Sequence, residues 1–496
     1  MKMKLFYILP IFLFAIGCKK DYLETVPSTG VTREQIYSKL TSVTAALDGI
    51  YKETFTYSVG GTGSHMDYGQ KSLDLMVDLM GNDMVVHTQG YGWYNSTYQY
   101  THWGVPTNGS MSDMAWIRYY DQIKQANLIL AVVDGLTDPA ATPAEKERIK
   151  GQVLGLRAYC YFYLINYYQQ TYKGNESNKG VPVVLGESTE GKGRGTVQDV
   201  YDQIILDLTD AEQLLTGKAR LSKQNMDATV IQGFRARVAL LMEDWATAAT
   251  YANKARTGYS LMSSATYTTR PAFSTVGNSE LMWGAIIPTA EATIYASFYS
   301  HVDISTGGYA ALGQQKKITK ALYDQIPADD IRKAVFKAPG TGTTSNPDYN
   351  QLKLQVPVQG SWAADYSYMR ISEMYLIEAE ALANSGNDAG ARTALETLVK
   401  ARYPAYSAAS LSGAALLAEI HLQRRIELWG EGWALLDIKR LKQGLNRPSG
   451  PGNHGGANYN PAVYTTNPED SRMILRIPQR ELDNNAAMTP ADQNPS

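Results

Sequence analysis

The sequence predicts a mostly α-helical protein, in which pairs of helices stack into one repeat body and long polar segments interrupt the stack. Apolar residues recur at helical spacing in several segments, and these segments come in pairs. Between the pairs lie stretches rich in Gly, Tyr, Ser and Thr that are longer than ordinary connections. With 44% hydrophobic residues, the 496-residue chain has enough apolar side chains for a large core.

The clearest predicted helix pair spans residues 227–256. Ile231, Phe234 and Val238 share one face of its first helix, and the second helix, from residue 245, is rich in alanine. Small alanines let two helices approach closely, and a pair of this length resembles a tetratricopeptide unit. The other predicted helical segments are residues 146–168 with 196–215, 370–383 with 388–402, and a further block at 412–441. At least three stacked pairs are needed to close such a core.

The polar insertions are the segments in which we expect short strands and the binding site. They cover residues 57–112, 259–311, 338–366 and 447–496. Structureless loops of this length inside a compact body are usually functional. The chain also carries 34 tyrosines against 9 phenylalanines, a bias that favours a wet, ring-lined recognition surface. Its 46 basic and 48 acidic residues form no basic stripe, which argues against nucleic acid as a partner.

The first residues predict export and lipid anchoring. Two lysines precede an apolar run at residues 5–16, which is too short to span a bilayer but fits a signal peptide. The run ends in Ala15-Ile16-Gly17-Cys18, which resembles a bacterial lipobox with Cys18 as the acylated (palmitate-type) residue. An ordinary signal peptide whose cleavage site precedes a cysteine is the alternative. Residues 1–17 are therefore predicted to be a signal peptide, and residues 18–30 a tether.

Clusters of aromatic residues mark the predicted ligand site. Residues 90–103 hold six aromatic residues among polar ones and no aliphatic residue. Flat rings stack on the apolar faces of a sugar, and neighbouring polar groups bond to its edges. The predicted ligand-binding residues are Trp93, Tyr94, Asn95, Tyr98 and Trp103 from this segment, and Trp283, Tyr295, Tyr299, Asp303 and Tyr309 from a second cluster. Trp362, Tyr366 and Tyr368 form a third cluster. The alternative is that Tyr98 and Tyr100 pack a strand against the helices.

Catalytic signals are weak by comparison. Glu427 and Glu431 are four residues apart, a spacing that places two carboxylates on one helical face, but arginines crowd the same block and favour ion pairs. The six histidines show no metal-ligand spacing, and the motifs of serine hydrolases and nucleotide-binding loops do not occur. We therefore expect no enzyme activity, no metal and no cofactor.

The C-terminal half carries the sequence motifs of a known family. Residues 370–382 read RISEMYLIEAEAL, residues 424–432 read RRIELWGEG and are followed by DIKR at 437–440, and IPQREL at 477–482 precedes QNP at 493–495. The N-terminal half agrees at residues 116–127, 156–162, 180–182 and 200–208. In this order, the set resembles the SusD/RagB family of nutrient-uptake outer-membrane lipoproteins. Gln423 and Ala434 depart from the pattern, where Glu and Arg are usual.

The resemblance implies a fold, a partner and a function. The fold is a SusD-like α-α superhelix, with an N-terminal region at residues 31–225 and a C-terminal region at 226–496 forming one continuous body. The partner is a SusC-like TonB-dependent β-barrel transporter in the outer membrane, and the ligand, captured at the cell exterior, is a glycan. Three alternatives stay open: a peptide-capturing RagB-like protein, a surface glycoside hydrolase, and a helical scaffold without a ligand.

Overall fold

The computed structural model describes residues 37–59, 63–101, 110–186, 190–292, 295–306, 309–360 and 363–495. Most of the regular structure in these ranges is helical, as the sequence predicts. The α-helices are α1 Leu40–Glu53, α2 Gln70–Leu79, α3 Asn95–Tyr98, α4 Met111–Val133, α5 Pro143–Tyr168, α6 Val197–Leu215, α7 Ala228–Met242, α8 Trp245–Ala255, α9 Ser264–Tyr267, α10 Phe298–Val302, α11 Tyr309–Gly313, α12 Lys320–Tyr323, α13 Ile371–Asn384, α14 Asp388–Lys400, α15 Gly413–Glu427, α16 Ala434–Arg440 and α17 Gln479–Asn484. Short 3₁₀ helices cover Arg270–Phe273, Ile304–Thr306, Ile331–Val335, Ser471–Met473 and Pro490–Asp492.

The predicted helix pairs are confirmed, with ends that capping residues fix. Thr196 and Asp199 form a reciprocal capping box at the start of α6, and the Asp227 side chain accepts from the Val230 amide at the start of α7. Asn387 caps α14 in the same way by accepting from Gly390. Each cap satisfies amides that the first turn of a helix leaves unpaired, so the polar residues between apolar runs determine where each helix begins.

The pairs stack side by side into a helical body. Helices α5 and α6, α7 and α8, and α13 and α14 pack within their pairs, and α6 also contacts α7 while α8 contacts α13. Glycines in α5 allow the closest approach. A Cβ atom on Gly155 would lie 2.5 Å from Ile231 Cδ1, and one on Gly151 would lie 2.7 Å from Leu215 Cγ. Helices on both sides of residue 225 share one apolar core, and the division into two regions at that residue stays a prediction.

Short strands occur in the first two insertions, as predicted, and each pairs with a strand that lies outside an insertion or at the end of one. Strands β1 (Met84–Val86) and β3 (Lys316–Ile318) pair antiparallel. Strands β2 (Leu281–Ala285) and β4 (Tyr366–Arg370) form a second antiparallel pair with register shifts on either side of Trp283. Strand β4 lies directly before α13 in the chain. Each ladder ties one insertion to a distant part of the sequence.

The predicted helical block at residues 412–441 is two helices, α15 and α16, with a break between them. Gly430 and Gly432 adopt φ values of 80° and 88°, which a helix does not allow. A Cβ atom on Gly432 would also lie 2.6 Å from Asp74 Cβ, so only glycine fits this approach to α2. As a consequence, Glu431 lies beyond the end of α15. The expectation that it shares one helical face with Glu427 is wrong.

Arginines and carboxylates fill part of the interior between the helices. We call the six residues Glu280, Arg332, Arg370, Arg402, Glu427 and Glu431 the ion-pair lattice. Arg370 Nη1 donates to Glu280 at 2.7 Å and to Glu427 at 3.2 Å, and Arg402 Nη2 donates to the same two carboxylates. Gln423, one of the two departures from the family pattern, accepts a hydrogen bond from Arg332. Ala434, the other, contributes its amide to Asp78.

Candidate functional site

Four aromatic rings from two insertions meet at the surface of the molecule. Tyr91, Tyr295 and Tyr57 are 72%, 48% and 36% exposed, and Trp93 is half-buried between them and the interior. The Tyr91 and Trp93 ring centroids lie 5.0 Å apart, and those of Tyr57 and Tyr295 lie 5.8 Å apart. We call these four residues, together with His65 beneath them, the aromatic platform.

His65 links the two halves of the aromatic platform. Its ring stacks on Trp93 at 4.0 Å and meets the Tyr295 ring edge-on at 4.5 Å. His65 Nδ1 lies 2.9 Å from His301 Nε2, so one ring donates a hydrogen bond to the other. Burial lowers the pKa of His65 to about 4 and that of His301 well below its ordinary range. Both imidazoles are therefore neutral at pH 7, and the histidine pair beneath the aromatic platform carries no charge.

Buried polar contacts hold the segment that carries Trp93. Tyr94 adopts a left-handed backbone conformation with φ of 62°. Its hydroxyl is 2.6 Å from the Tyr68 hydroxyl and 3.0 Å from that of Ser72. Gln314 Nε2 donates to the carbonyl of Trp93 at 2.8 Å and to Asn95 Oδ1 at 3.0 Å. The exposed rings are thus positioned by contacts within the protein.

A cavity of about 280 Å³ lies beside Tyr57, and Tyr299 and Tyr366 form part of its wall. Lys52 and Glu291 face each other at its edge, with Nζ 2.7 Å from Oε1. Their side chains are 52% and 34% exposed. Ring faces and charged hydrogen-bonding groups thus lie side by side, an arrangement that suits a ligand with apolar faces and many hydroxyls.

Five of the predicted ligand residues lie in the interior, where each has a structural contact. Tyr94 and Asn95 support the segment that holds Trp93, as described above. The Tyr98 hydroxyl lies 2.8 Å from His454 Nδ1, and Trp283 Nε1 donates to the Gln224 carbonyl at 2.8 Å. Tyr299 is 2% exposed and donates to the Asp365 carbonyl. In this conformation the rings of Tyr94, Tyr98 and Trp283 offer no face to a ligand, and Tyr299 reaches only the wall of the cavity. For Tyr98 the packing alternative describes what is seen, although it lies in the short helix α3 and not in a strand.

Asp303 is also an interior residue. Its carboxylate is fully buried and accepts from the Val356 amide at 2.9 Å and the Ser305 amide at 2.8 Å. Arg270 Nη1 lies 3.4 Å away. Of the predicted ligand residues, Trp93 and Tyr295 therefore lie on the aromatic platform. Cys18, Trp103, Trp362 and the side chain of Tyr309 lie outside the described residues.

Tyr57 and His65 belong to the aromatic platform but were not predicted as ligand residues. Both lie in the first insertion, at the end away from the aromatic-rich segment. Single aromatic residues among glycines and serines give no sign in the sequence that they meet Trp93. Tyr91 was visible in the aromatic-rich segment, yet its neighbours did not distinguish an exposed ring from a buried one.

Glu427 and Glu431, the two carboxylates whose spacing suggests acid–base catalysis, are held as ions by arginine and lysine. Burial alone would raise the pKa of Glu431, but the charges of Arg370 and Lys353 outweigh burial and lower the pKa to about 2. The pKa of Glu427 is likewise lowered, because three arginines outweigh its burial. Neither group holds a proton at neutral pH, which a general acid needs. Among the described residues, no cluster of three or more His, Cys, Asp or Glu side chains is arranged to hold a metal ion.

Comparison with known proteins identifies the family. A family model described as starch-binding and associating with the outer membrane matches residues 32–240, and the model of the SusD family matches residues 349–496. The chain belongs to the SusD/RagB family. A curated SusD-like protein from Bacteroides ovatus is 23% identical over 251 residues, and the match covers 49% of this chain and 40% of that relative.

Solved SusD structures share the fold over nearly the whole chain. A SusD-like carbohydrate-binding protein from Bacteroides vulgatus is 26% identical with a TM-score of 0.81, covering 92% of this chain and 99% of that one. A SusD superfamily protein from Bacteroides thetaiotaomicron is 21% identical with a TM-score of 0.75, covering 92% and 100%. A laminarin-binding SusD-like protein is 18% identical with a TM-score of 0.65, covering 93% and 100%. In the part of this SusD/RagB chain that is described, each helix is too short or too polar to cross a membrane.

Proposed function

We propose that the chain captures a glycan on the aromatic platform and delivers it unchanged to a SusC-like TonB-dependent transporter. The observation that carries this proposal is the convergence of four rings from two insertions at one solvent-facing surface. Membership of a family with carbohydrate-binding members supports the same ligand class.

The chemistry of the aromatic platform suits a neutral sugar chain. A pyranose ring presents axial C–H groups that pack on the apolar face of an aromatic ring. Tyr91 and Trp93 lie 37° from parallel, so they offer two differently tilted faces to successive units. Lys52 and Glu291, at the edge of the neighbouring cavity, supply a donor and an acceptor for hydroxyls.

Delivery requires that the ligand leaves again. A single bound ligand at micromolar affinity corresponds to about 8 kcal/mol, which a few stacked rings and hydrogen bonds can supply. Glu427 and Glu431 hold no proton to give to a glycosidic oxygen, which supports binding without cleavage. We therefore propose capture and release without any change in the ligand.

The location proposed for the protein follows from its first residues and its family. Acylation of Cys18 would anchor the chain to the outer membrane by two or more acyl chains, since one chain gives only marginal binding. The family model that matches residues 32–240 is described as associating with the outer membrane. An external orientation would place the aromatic platform where polymers arrive, above a β-barrel that takes them in.

Titration of the purified chain against a panel of polysaccharides and peptides tests the proposal. We expect one glycan to bind with micromolar affinity, and the double variant Tyr91→Ala/Tyr295→Ala to bind it at least tenfold more weakly. Tyr251→Ala is the matched control, because its half-buried ring lies on α8, with Arg235 and Lys254 over its face.

Three results, two from this titration and one from an assay of reducing-sugar release, would contradict the proposal. Binding of peptides with silence from every glycan would favour the RagB-like alternative. Release of reducing sugar by the chain, lost in Glu427→Gln, would indicate a hydrolase. Equal glycan affinity in the double variant and the wild type would indicate that the glycan binds outside the aromatic platform.

A further inference from the structure

A buried lysine lies next to the segment that carries Trp93. Lys316 is the first residue of β3, and its side chain is fully buried. In the antiparallel pair of β1 and β3 it lies opposite Val86, the last residue of β1. The chain continues from Val86 directly into the segment with Trp93. The pairing of β1 with β3 therefore fixes the place of Lys316 relative to the start of this segment.

In the described part of the chain, the ammonium group of Lys316 bonds to neutral oxygens of one residue, Gln314. Its Nζ donates to the Gln314 backbone carbonyl at 2.8 Å and to the side-chain Oε1 at 3.0 Å. No carboxylate among the described residues offsets the charge, and burial lowers the pKa of Lys316 to about 7. A buried ion without a counter-charge is costly, so a gain in stability does not explain a lysine at this position.

Gln314 connects Lys316 to the segment that carries Trp93. A side-chain amide has an acceptor end and a donor end, and an ammonium group can only donate. Lys316 therefore takes the Oε1 end, and the Nε2 end points the other way. Nε2 donates to the carbonyls of Gln89 and Trp93 at 3.1 and 2.8 Å and to Asn95 Oδ1 at 3.0 Å. One amide thus ties three points of the segment, and Lys316 sets its direction.

We propose that Lys316 is a positioning residue for glycan capture, which holds the Gln314 amide in the orientation that fixes Trp93 on the aromatic platform. This inference rests on the proposed function. Without the lysine, Gln314 Oε1 would be buried without a donor, which favours conformers in which the side chain leaves its place. A glycan then binds only the fraction of molecules in which the segment is still held, and the affinity falls by that fraction.

The variants Lys316→Met and Lys439→Met are a matched pair that tests this role. Lys439 is also buried, and burial lowers its pKa to about 7 as well. Its Nζ donates to the carbonyls of Asn166 and Gln169, at the C-terminal end of α5. In calorimetry with the polysaccharide that the panel titration identifies, we expect Lys316→Met to bind about fivefold more weakly, as when one molecule in about five is competent. Lys439→Met is expected to keep wild-type affinity.

A second measurement needs no glycan. Fluorine NMR of the full chain, labelled with fluorotryptophan, reports on each of its 8 tryptophans, and Trp93→Phe identifies the resonance of Trp93. We expect Lys316→Met to broaden or split this resonance, because the ring then samples more than one position. Lys439→Met is expected to leave it as a single sharp line.

A double-mutant cycle tests the connection through Gln314. Gln314→Leu removes the donor to the Trp93 segment directly, whereas Lys316→Met removes only the group that orients this donor. Residues that act through one another show non-additive effects. We therefore expect the double variant to bind the polysaccharide no more weakly than Gln314→Leu alone.

Four results would overturn the proposal. Wild-type affinity in Lys316→Met would show that the lysine does not support binding, and an equal loss in Lys439→Met would assign the loss to the general removal of a buried lysine. Additive losses in the double-mutant cycle would show that Lys316 does not act through Gln314. A sharp, single Trp93 resonance in Lys316→Met would show that the ring keeps its place. If no polysaccharide binds the wild type, the proposed function fails, and the fluorine spectrum still decides whether Lys316 positions Trp93.

Discussion

The aromatic platform and the ion-pair lattice use opposite chemistry in opposite places. The aromatic platform is built from neutral rings, and three of its five residues are substantially exposed. The ion-pair lattice is built from full charges, and its members are fully buried apart from Glu431, whose side chain is 14% exposed. The charged groups of the ion-pair lattice therefore join helices in the interior, and the aromatic platform offers uncharged rings to a ligand.

This difference explains why residue type alone does not locate the binding site. Charged residues in a sequence usually suggest surface or function, yet Glu280, Arg370 and Glu427 are interior. A buried pair is stable only when each partner is present and well placed, so such a lattice requires a precise helix arrangement. We expect rings on the aromatic platform to tolerate replacement better, because each loses only its own contacts.

Breaking the ion-pair lattice should have the largest effect. Glu280 accepts from Arg370 at 2.7 Å and Arg402 at 2.5 Å, and Glu280→Gln leaves two buried guanidinium groups short of a counter-charge. We expect a loss of about 3–5 kcal/mol in the free energy of unfolding, measured by denaturant titration. Asp324→Asn, which breaks an exposed pair with Lys320, is the control and should cost less than about 1 kcal/mol. Similar costs for both variants would contradict the comparison.

Removing the central ring of the aromatic platform should affect binding more than folding. Trp93 stacks on His65 and touches Tyr91. We expect Trp93→Ala to weaken glycan binding by tenfold or more, about 1.4 kcal/mol, in calorimetry. Trp245→Ala removes another half-buried indole, at the start of α8, and should leave binding unchanged. A loss of binding in both variants would mean that destabilisation, not ring contact, is responsible.

Lowering the pH should reduce the contribution that His65, beneath the aromatic platform, makes to the stability of the protein. The pKa of His65 is about 4 in the folded protein, below the ordinary value of 6.5, so between these values the unfolded chain binds a proton that the folded chain excludes. Its contribution to stability is complete above pH 6.5 and is lost as pH falls toward 4. Unfolding free energies of wild type and His65→Phe from pH 7 to 4.5 should converge on acidification. Parallel curves would contradict this role of His65.

The smallest effect is expected at Tyr98, which lies in the same aromatic-rich segment as Trp93 but faces inward. His454 donates from Nε2 to the Asn82 carbonyl, so its Nδ1 accepts from the Tyr98 hydroxyl. Tyr98→Phe removes this bond and should cost about 1 kcal/mol in stability. Glycan affinity measured by calorimetry should not change. A weaker affinity in this variant would indicate that the Tyr98 hydroxyl also contributes to glycan binding.

Helices were predictable from the sequence because their signals are local. Apolar spacing and caps such as Thr196 and Asp227 act within a few residues, so they are readable without the fold. The break at Gly430 and Gly432 was harder, since it depends on the approach of α2 to that turn. Family motifs supplied the overall arrangement.

Ring orientation was not predictable, because it depends on contacts between distant insertions. Trp93 and Tyr94 are adjacent, yet one reaches the surface and the other bonds to Tyr68 and Ser72. Both residues are aromatic and lie in the same segment, so residue class and spacing do not distinguish the exposed ring from the buried one. Tyr57 and Tyr295 meet across more than two hundred residues of chain, and nothing near either one indicates the other.

Gln314 has a consequence for how quickly the protein can exchange one ligand for the next. Its amide clamps the Trp93 carbonyl and the Asn95 side chain, so the loop between them is already ordered before any encounter. Little conformational entropy then remains to be lost on association, and little is recovered on departure. Turnover of ligand at the cell surface would be limited by diffusion and by the strength of the contacts, and not by loop rearrangement.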